Sequence, residues 1–298
     1  MDGDELITYD NVYNLARMSY NAYLEQDSVD WFDTVLNKTI DVSLSHNSVH
    51  AYLFSNDANT VHVVAFKGTS IYWSTKSTQK NSTVYNDKFN DNLYFSCCYY
   101  KESNFNRDLF KDCSGKSDAK TCSRKCYQKS LSYELNYFNI AKKIMDNVFA
   151  VIDKSSRVTL TGHSLGGTLS TIMGIVYDKP VVTFESPGEK HYIDTVGLKY
   201  SDATANNIYH FGHNADIIFT GKCNGVLSWC SIGGYTLNTK CHIGNVCEYD
   251  TKTQLGMRES IFTHKLKYVI DNVITKWNNT LPSCKLTSCT DCETWDFT

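Results

Sequence analysis

The sequence predicts an α/β fold with a central, mostly parallel sheet and a disulfide-rich insertion, in one domain over residues 1–298. Three observations predict it. Short β-branched apolar runs alternate with amphipathic helical stretches, the pattern of a sheet covered by helices. One strand-to-helix junction holds a serine between glycines, Gly162-His163-Ser164-Leu165-Gly166. Twelve cysteines gather in polar stretches that lack apolar residues for a core of their own. With 42% apolar residues the chain can bury a substantial core, and a net charge of −3 gives no general attraction to nucleic acid. Tyr and Phe, 20 and 14, beside 3 Pro argue against a long disordered tail.

Taken in order, residues 9–24 have helical spacing, with Val12, Leu15, Ala16, Tyr20 and Tyr23 on one side. His50 to Phe54 and Val61 to Phe66 read as two strands around the turn-like Ser55-Asn56-Asp57-Ala58-Asn59. Residues 71–129 turn polar and cysteine-rich without long apolar periodicity, which predicts an inserted loop region or lid. Leu131 to Phe149 resumes a helical stripe through Leu135, Phe138, Ile144, Met145 and Val148. Arg157 to Gly162 is a β-branched strand, Leu165 to Val176 a helix, and Pro180 to Glu185 and Asn207 to Phe211 two further strands. Thr263 to Trp277 closes as an amphipathic helix, and residues 278–298 form a segment tied by cysteines.

Cys97, Cys98, Cys113, Cys122 and Cys126 form one group of cysteines, and Cys223, Cys230, Cys241 and Cys247 a second. Cys284, Cys289 and Cys292 form the third. Disulfides made in an oxidising compartment account for such regions. Glycosylation sequons at Asn37, Asn81 and Asn278 point the same way. The competing reading is a cytosolic protein with zinc at Cys289-x-x-Cys292, a pair without a matching second one. No run reaches the ~18 apolar residues of a membrane span. Met1-Asp2-Gly3-Asp4-Glu5 is acidic and polar, unlike a signal peptide, so a targeting segment is expected upstream of Met1.

The chemistry centres on Ser164. In a G-x-S-x-G turn the glycines let strand and helix approach without Cβ clashes, and the serine Oγ stands exposed above the sheet. The following helix offers N–H groups without intrahelical partners, and the Leu165 N–H is the expected first donor to an oxyanion. A second donor is expected from the loop after an earlier strand, and Thr69 in Lys67-Gly68-Thr69-Ser70 fits. A nucleophilic serine needs a base, and the base an orienting acid, in α/β-hydrolases in the order Ser, acid, His. Asp216 is favoured as acid because it follows the strand Tyr209-His210-Phe211-Gly212 through a short loop. Glu185 is also near a strand end but lies too close to the sheet. His264 is favoured as base, opening the last helix. His210 lies within a strand, His213 is too near Asp216, and His242 sits among cysteines. A non-enzymatic binding module, a decayed hydrolase held by disulfides, is the reading this ordered set speaks against.

Several segments together resemble the class 3 lipases, and among them the fungal vacuolar lipases that break down autophagic bodies. They are Ala65-Phe66-Lys67-Gly68-Thr69-Ser70, Asn90-Asp91-Asn92-Leu93-Tyr94-Phe95-Ser96-Cys97-Cys98 and Gly162-His163-Ser164-Leu165-Gly166-Gly167. Phe184-Glu185-Ser186-Pro187-Gly188, Phe211-Gly212-His213-Asn214-Ala215-Asp216 and Cys241-His242-Ile243-Gly244 continue the match. The resemblance implies an α/β-hydrolase fold with Ser164 as nucleophile, Asp216 as acid, His264 as base and Thr69 at the oxyanion hole, without metal or cofactor. It also implies hydrolysis of membrane glycerolipids on vesicles in the vacuole lumen or an endosomal multivesicular body. A lipid surface is then the partner, and the natural form carries an amino-terminal membrane anchor. A triacylglycerol lipase or esterase without membrane action remains the alternative. Tyr72, Trp73, Tyr94, Phe95, Tyr99 and Tyr100 suit an interfacial lid and the packing of an irregular loop equally.

Overall fold

A computed structural model describes residues 5–45, 48–70, 83–99, 113, 120–225 and 227–298. In chain order the strands are β1 (Lys38–Asp41), β2 (Ala51–Ser55), β3 (Val61–Phe66), β4 (Thr121–Cys122) and β5 (Arg157–His163). There follow β6 (Val181–Phe184), β7 (Ile208–His213), β8 (Asn245–Tyr249), β9 (Cys284–Leu286) and β10 (Asp296–Phe297). Eight of them make one sheet in the order β1-β2-β3-β5-β6-β7-β8-β9, while β4 and β10 pair separately. The five central strands from β3 to β8 run parallel, and β1, β2 and β9 are antiparallel at the edges. The expected α/β architecture with a mostly parallel centre is what forms.

The central parallel strands β3 and β6 are buried along their whole length because helices cover both faces. Along β3, Val63 and Ala65 point to one face and Val64 and Phe66 to the other, the period-two alternation of a strand. On the first face lie helix α1 (Tyr9–Asn21), through Val12, Leu15 and Ala16, and the carboxy-terminal Leu266, Val269 and Ile270. On the second lie α2 (Thr83–Phe95), α3 (Tyr137–Val151) and α4 (Leu165–Tyr177). Capping follows side-chain chemistry: the Thr8 hydroxyl accepts the Asn11 N–H, and the Asn136 side chain accepts that of Phe138.

Two expectations need correction. The region 71–129 contains α2, whose residues from Phe89 to Phe95 are all buried. Its stripe is hidden because the buried side chains include polar ones with fixed partners. Asn90 Nδ2 donates to the Leu135 carbonyl and its Oδ1 accepts the Tyr137 N–H, while Asn92 Oδ1 accepts the Thr236 N–H. Tyr94, Phe95 and Tyr99 are core residues; Tyr72, Trp73, Tyr100 and Asn81 lie outside the described residues. The final helix is also not continuous. A 3-10 turn, Ile261–His264, precedes α5 (Leu266–Asn272), and another turn, Ile274–Lys276, follows it. The Ser260 hydroxyl accepts the Phe262 N–H and starts the first turn.

All twelve cysteines are paired: Cys97–Cys292, Cys98–Cys122, Cys113–Cys126, Cys223–Cys230, Cys241–Cys289 and Cys247–Cys284. Cys289 and Cys292 are bonded to different partners, so the zinc reading at that pair fails. Three of the six bonds tie the segment after residue 278 back to the body of the protein.

Candidate active site

Ser164 sits where β5 ends and α4 begins, with φ 55° and ψ −128°. This is strained backbone for a non-glycine residue, of the kind that clusters at functional sites. A Cβ on Gly162 would lie 2.3 Å from the Gly166 carbonyl oxygen, and one on Gly166 would lie 2.1 Å from that of Phe66. The two glycines are therefore required by contact. The N–H groups of Leu165 and Gly166 occupy the first turn of α4, where their own helix supplies no carbonyl.

His264 and Asp216 reach this turn from two other chain segments. His264 Nε2 lies 2.9 Å from Ser164 Oγ, and its Nδ1 lies 2.6 Å from Asp216 Oδ2. In the neutral imidazole, Nδ1–H donates to the carboxylate and Nε2 accepts the serine hydroxyl. Asp216 follows β7 and is fully buried; its Oδ1 accepts the Ile218 N–H at 2.8 Å. Burial would raise its pKa, yet His264 and a hydrogen bond from Glu185 outweigh this and hold the carboxyl below its ordinary value. His264 occupies the 3-10 turn ahead of α5 rather than the helix itself. His213 points elsewhere, with Nδ1 at 3.1 Å from the Thr251 hydroxyl and Nε2 donating to the Thr263 carbonyl.

The loop after β3 comes close to the serine. The Thr69 hydroxyl donates to Asp91 Oδ2 at 2.7 Å, and the Ser70 N–H donates to Asp87 Oδ2 at 2.8 Å. Both aspartates lie on α2, one turn apart. Asp87 also accepts from the Tyr137 hydroxyl at 2.6 Å and lies 3.7 Å from Lys67 Nζ. Burial pushes the Asp91 carboxyl well above its usual range. Sequence reasoning missed these two anchors. Their i, i+4 spacing is a signal only once residues 83–95 are read as a helix.

His163, the residue before the serine, was also missed. It is buried, and desolvation lowers its pKa to about 3, so the ring is neutral. Its Nε2–H donates to the His264 carbonyl at 2.7 Å, which leaves Nδ1 to accept the Tyr23 hydroxyl at 2.7 Å. This relay ties the backbone of His264 to the end of β5 and to Tyr23 just after α1.

Ser164, His264 and Thr69 line a cavity of about 510 Å³, with Trp229 and Phe262 on its walls. Those two aromatics are 67% and 66% exposed, as are Leu227 and Ile232 to a similar or greater degree. Two of the four, Leu227 and Trp229, lie in the loop that the Cys223–Cys230 disulfide closes, and Ile232 follows it by two residues. Elsewhere, Glu189, His210 and His242 form a buried group; Glu189 Oε1 accepts the Ile243 N–H at 2.9 Å, while its Oε2 has no hydrogen-bond partner. His210 bonds the Thr183 hydroxyl and the Ile243 carbonyl, and His242 the Ser186 carbonyl. Asn37 and Asn278 are exposed.

With this geometry in hand, comparison with known proteins is informative. A family described as "Phospholipase-like: Tle-like phospholipase domain" matches residues 113–232, a span that includes Ser164. Proteins named "Putative lipase ATG15" from Meyerozyma guilliermondii and Kluyveromyces lactis are 34% and 36% identical, each over 97% of this chain. One from Yarrowia lipolytica is 36% identical, also over 97%. The chain resembles these fungal lipases over nearly its whole length. It spans about half the length of the ATG15 relatives, covering 54%, 55% and 52% of the three. Among solved structures, Lip2 lipase from Yarrowia lipolytica is 17% identical with a TM-score of 0.41, covering 81% of this chain and 78% of that one. Lipase II from Rhizopus niveus is 14% identical with a TM-score of 0.41, covering 86% and 92%.

Proposed function

We propose that this protein is a serine lipase or phospholipase that hydrolyses carboxylic esters of membrane glycerolipids. The observation that carries this reading is the hydrogen-bonded line from Ser164 through His264 to Asp216 at the base of an open apolar cavity. In the proposed reaction Ser164 Oγ attacks the ester carbonyl while His264 takes its proton. The Leu165 and Thr69 N–H groups stabilise the oxyanion, His264 protonates the departing alcohol, and water then releases the fatty acid. No step calls for a metal or cofactor.

The lipid part of the reading rests on the cavity mouth and on the relatives. Trp229 and Phe262, which line the cavity, are largely exposed, as a surface meeting acyl chains requires. The name shared by the relatives connects them with lipid hydrolysis and autophagy, and the matched family description is that of a phospholipase. We place the protein in the vacuole lumen or an endosomal multivesicular body, where it would act on vesicle membranes. Six disulfides support an oxidising, secretory-pathway origin. The exposed Asn37 and Asn278 are proposed glycan sites, along with Asn81. The test is fatty-acid release from phospholipid vesicles beside triglyceride emulsion, with Ser164→Ala as control. Vesicle hydrolysis lost in Ser164→Ala supports the reading. Cleavage of triglyceride alone would replace it with a neutral-lipid lipase, and cleavage surviving in Ser164→Ala would remove the serine mechanism.

A further inference from the structure

Glu185 is out of place by ordinary criteria. It ends β6 with φ 47°, the left-handed region that favours glycine, and it is fully buried. Its Oε2 accepts the His213 N–H at 3.2 Å, whereas Oε1 finds no hydrogen-bond donor. An ionised carboxylate would leave that oxygen desolvated and unpaired, at a cost of several kcal/mol. A carboxylic acid resolves the problem. Its hydroxyl needs an acceptor, and Asp216 is joined to Glu185 through one residue: the His213 N–H donates to Glu185 Oε2 and the His213 carbonyl accepts the Asp216 N–H at 3.0 Å.

We propose that Glu185 is a positioning residue for the acyl-transfer site: as a neutral acid it donates a hydrogen bond to Asp216, keeping that carboxylate anionic and aimed at His264 under acid conditions. This rests on the reading of Ser164, His264 and Asp216 given above. The charged and titratable groups facing Glu185 support the assignment. From the loop after β7 comes the Asp216 anion, and from β7 itself His213, whose Nε2 is 3.9 Å from Oε1. From β8 come Glu248 and Tyr249, and His264 lies beyond Asp216. Burial first, and then the charge of Asp216, push the Glu185 carboxyl well above the ordinary range. The same hydrogen bond lowers Asp216, whose neighbours otherwise work against desolvation through His264.

The pair has two consequences for pH. At acid pH the Glu185 hydroxyl opposes protonation of Asp216, so the acid that orients His264 stays charged. At alkaline pH Glu185 itself ionises, the hydrogen bond is lost, and two carboxylates repel beside the base. Activity falls on that side.

Wild type, Glu185→Gln, Glu185→Met and Ser164→Ala are compared on 4-nitrophenyl butyrate from acid to alkaline pH. Glu185→Gln keeps a donor without a titrating group, so its acid limb matches wild type and its alkaline fall disappears. Glu185→Met keeps the volume but removes the donor, so kcat drops about tenfold with KM unchanged, and the acid limb moves to higher pH. If both variants trace the wild-type pH profile, the inference is overturned. If Glu185→Met does not fold, the alkaline limb of Glu185→Gln decides alone. Wild type failing to cleave the ester, or Ser164→Ala cleaving it equally well, defeats the parent reading instead.

Discussion

At the scale of single residues, the site depends on groups held in states that water would not favour. His163 is a neutral ring because it is buried, and Glu189 is pushed up to about 8 by burial. Their effects on stability have opposite signs. A histidine depressed from 6.5 to about 3 contributes stability that is present above pH 6.5 and is lost as pH falls toward 3. A carboxyl raised from 4.5 to about 8 contributes stability that is present below pH 4.5 and is lost as pH rises toward 8. Glu189→Gln is therefore expected to melt above wild type by a margin that grows from pH 4.5 to 8, read by thermal denaturation at a series of pH values. A constant difference across that range would contradict it. Asp91 gives a kinetic prediction. Removing the acceptor of the Thr69 hydroxyl in Asp91→Ala frees the oxyanion loop and should lower kcat about tenfold while KM stays near wild type, measured on a soluble ester.

At the scale of elements, what the sequence made legible follows from how each element is buried. Val61–Phe66 and the helix from Leu165 were readable because both faces are covered by apolar neighbours, and the glycines at 162 and 166 mark the turn between strand and helix. The α2 helix escaped because Asn90, Asn92, Asp87 and Asp91 point inward to fixed partners and break the apolar stripe. Strand β8 escaped because Asn245-Val246-Cys247-Glu248-Tyr249 mixes buried and exposed positions near an edge. The roles assigned to Ser164, Asp216 and His264 were drawn from chain order. The partners that hold them, His163, Glu185 and the α2 aspartates, are set by tertiary packing and leave little trace in local sequence. The turn itself offers a sharp prediction. Gly166→Ala forces a Cβ to within 2.1 Å of the Phe66 carbonyl oxygen, backbone against backbone, so it should destabilise the fold by about 3 kcal/mol or more. Soluble yield and Tm close to wild type would refute that reading of the turn.

At the scale of the whole molecule, disulfides add to the two apolar cores on either face of the sheet. Cys97–Cys292 closes 195 residues, and the chain-entropy account assigns such a loop about 5 kcal/mol. Cys223–Cys230 closes only 7, for which the same reasoning gives roughly 2.5 kcal/mol, about half as much. Its loop carries the exposed Leu227 and Trp229, the latter on the cavity wall. Replacing both Cys97 and Cys292 by serine should lower Tm by several degrees, and the Cys223/Cys230 double replacement by about half as much. Trp229→Ser is expected to slow hydrolysis of phospholipid vesicles several-fold and leave a soluble short-chain ester unaffected. Equal loss on both substrates would remove the exposed apolar rim from the lipid reading. No helix among the described residues is long and apolar enough to cross a membrane.

All three scales converge on one atom, Ser164 Oγ, the proposed nucleophile, which lies at the strained turn within hydrogen-bond distance of His264. The most direct test is covalent labelling of the folded protein with a fluorophosphonate, followed by peptide mapping. The account predicts one adduct, on Ser164, lost in His264→Ala and Ser164→Ala proteins that remain folded. A folded wild type that takes no label, or takes it on a different residue, would contradict it.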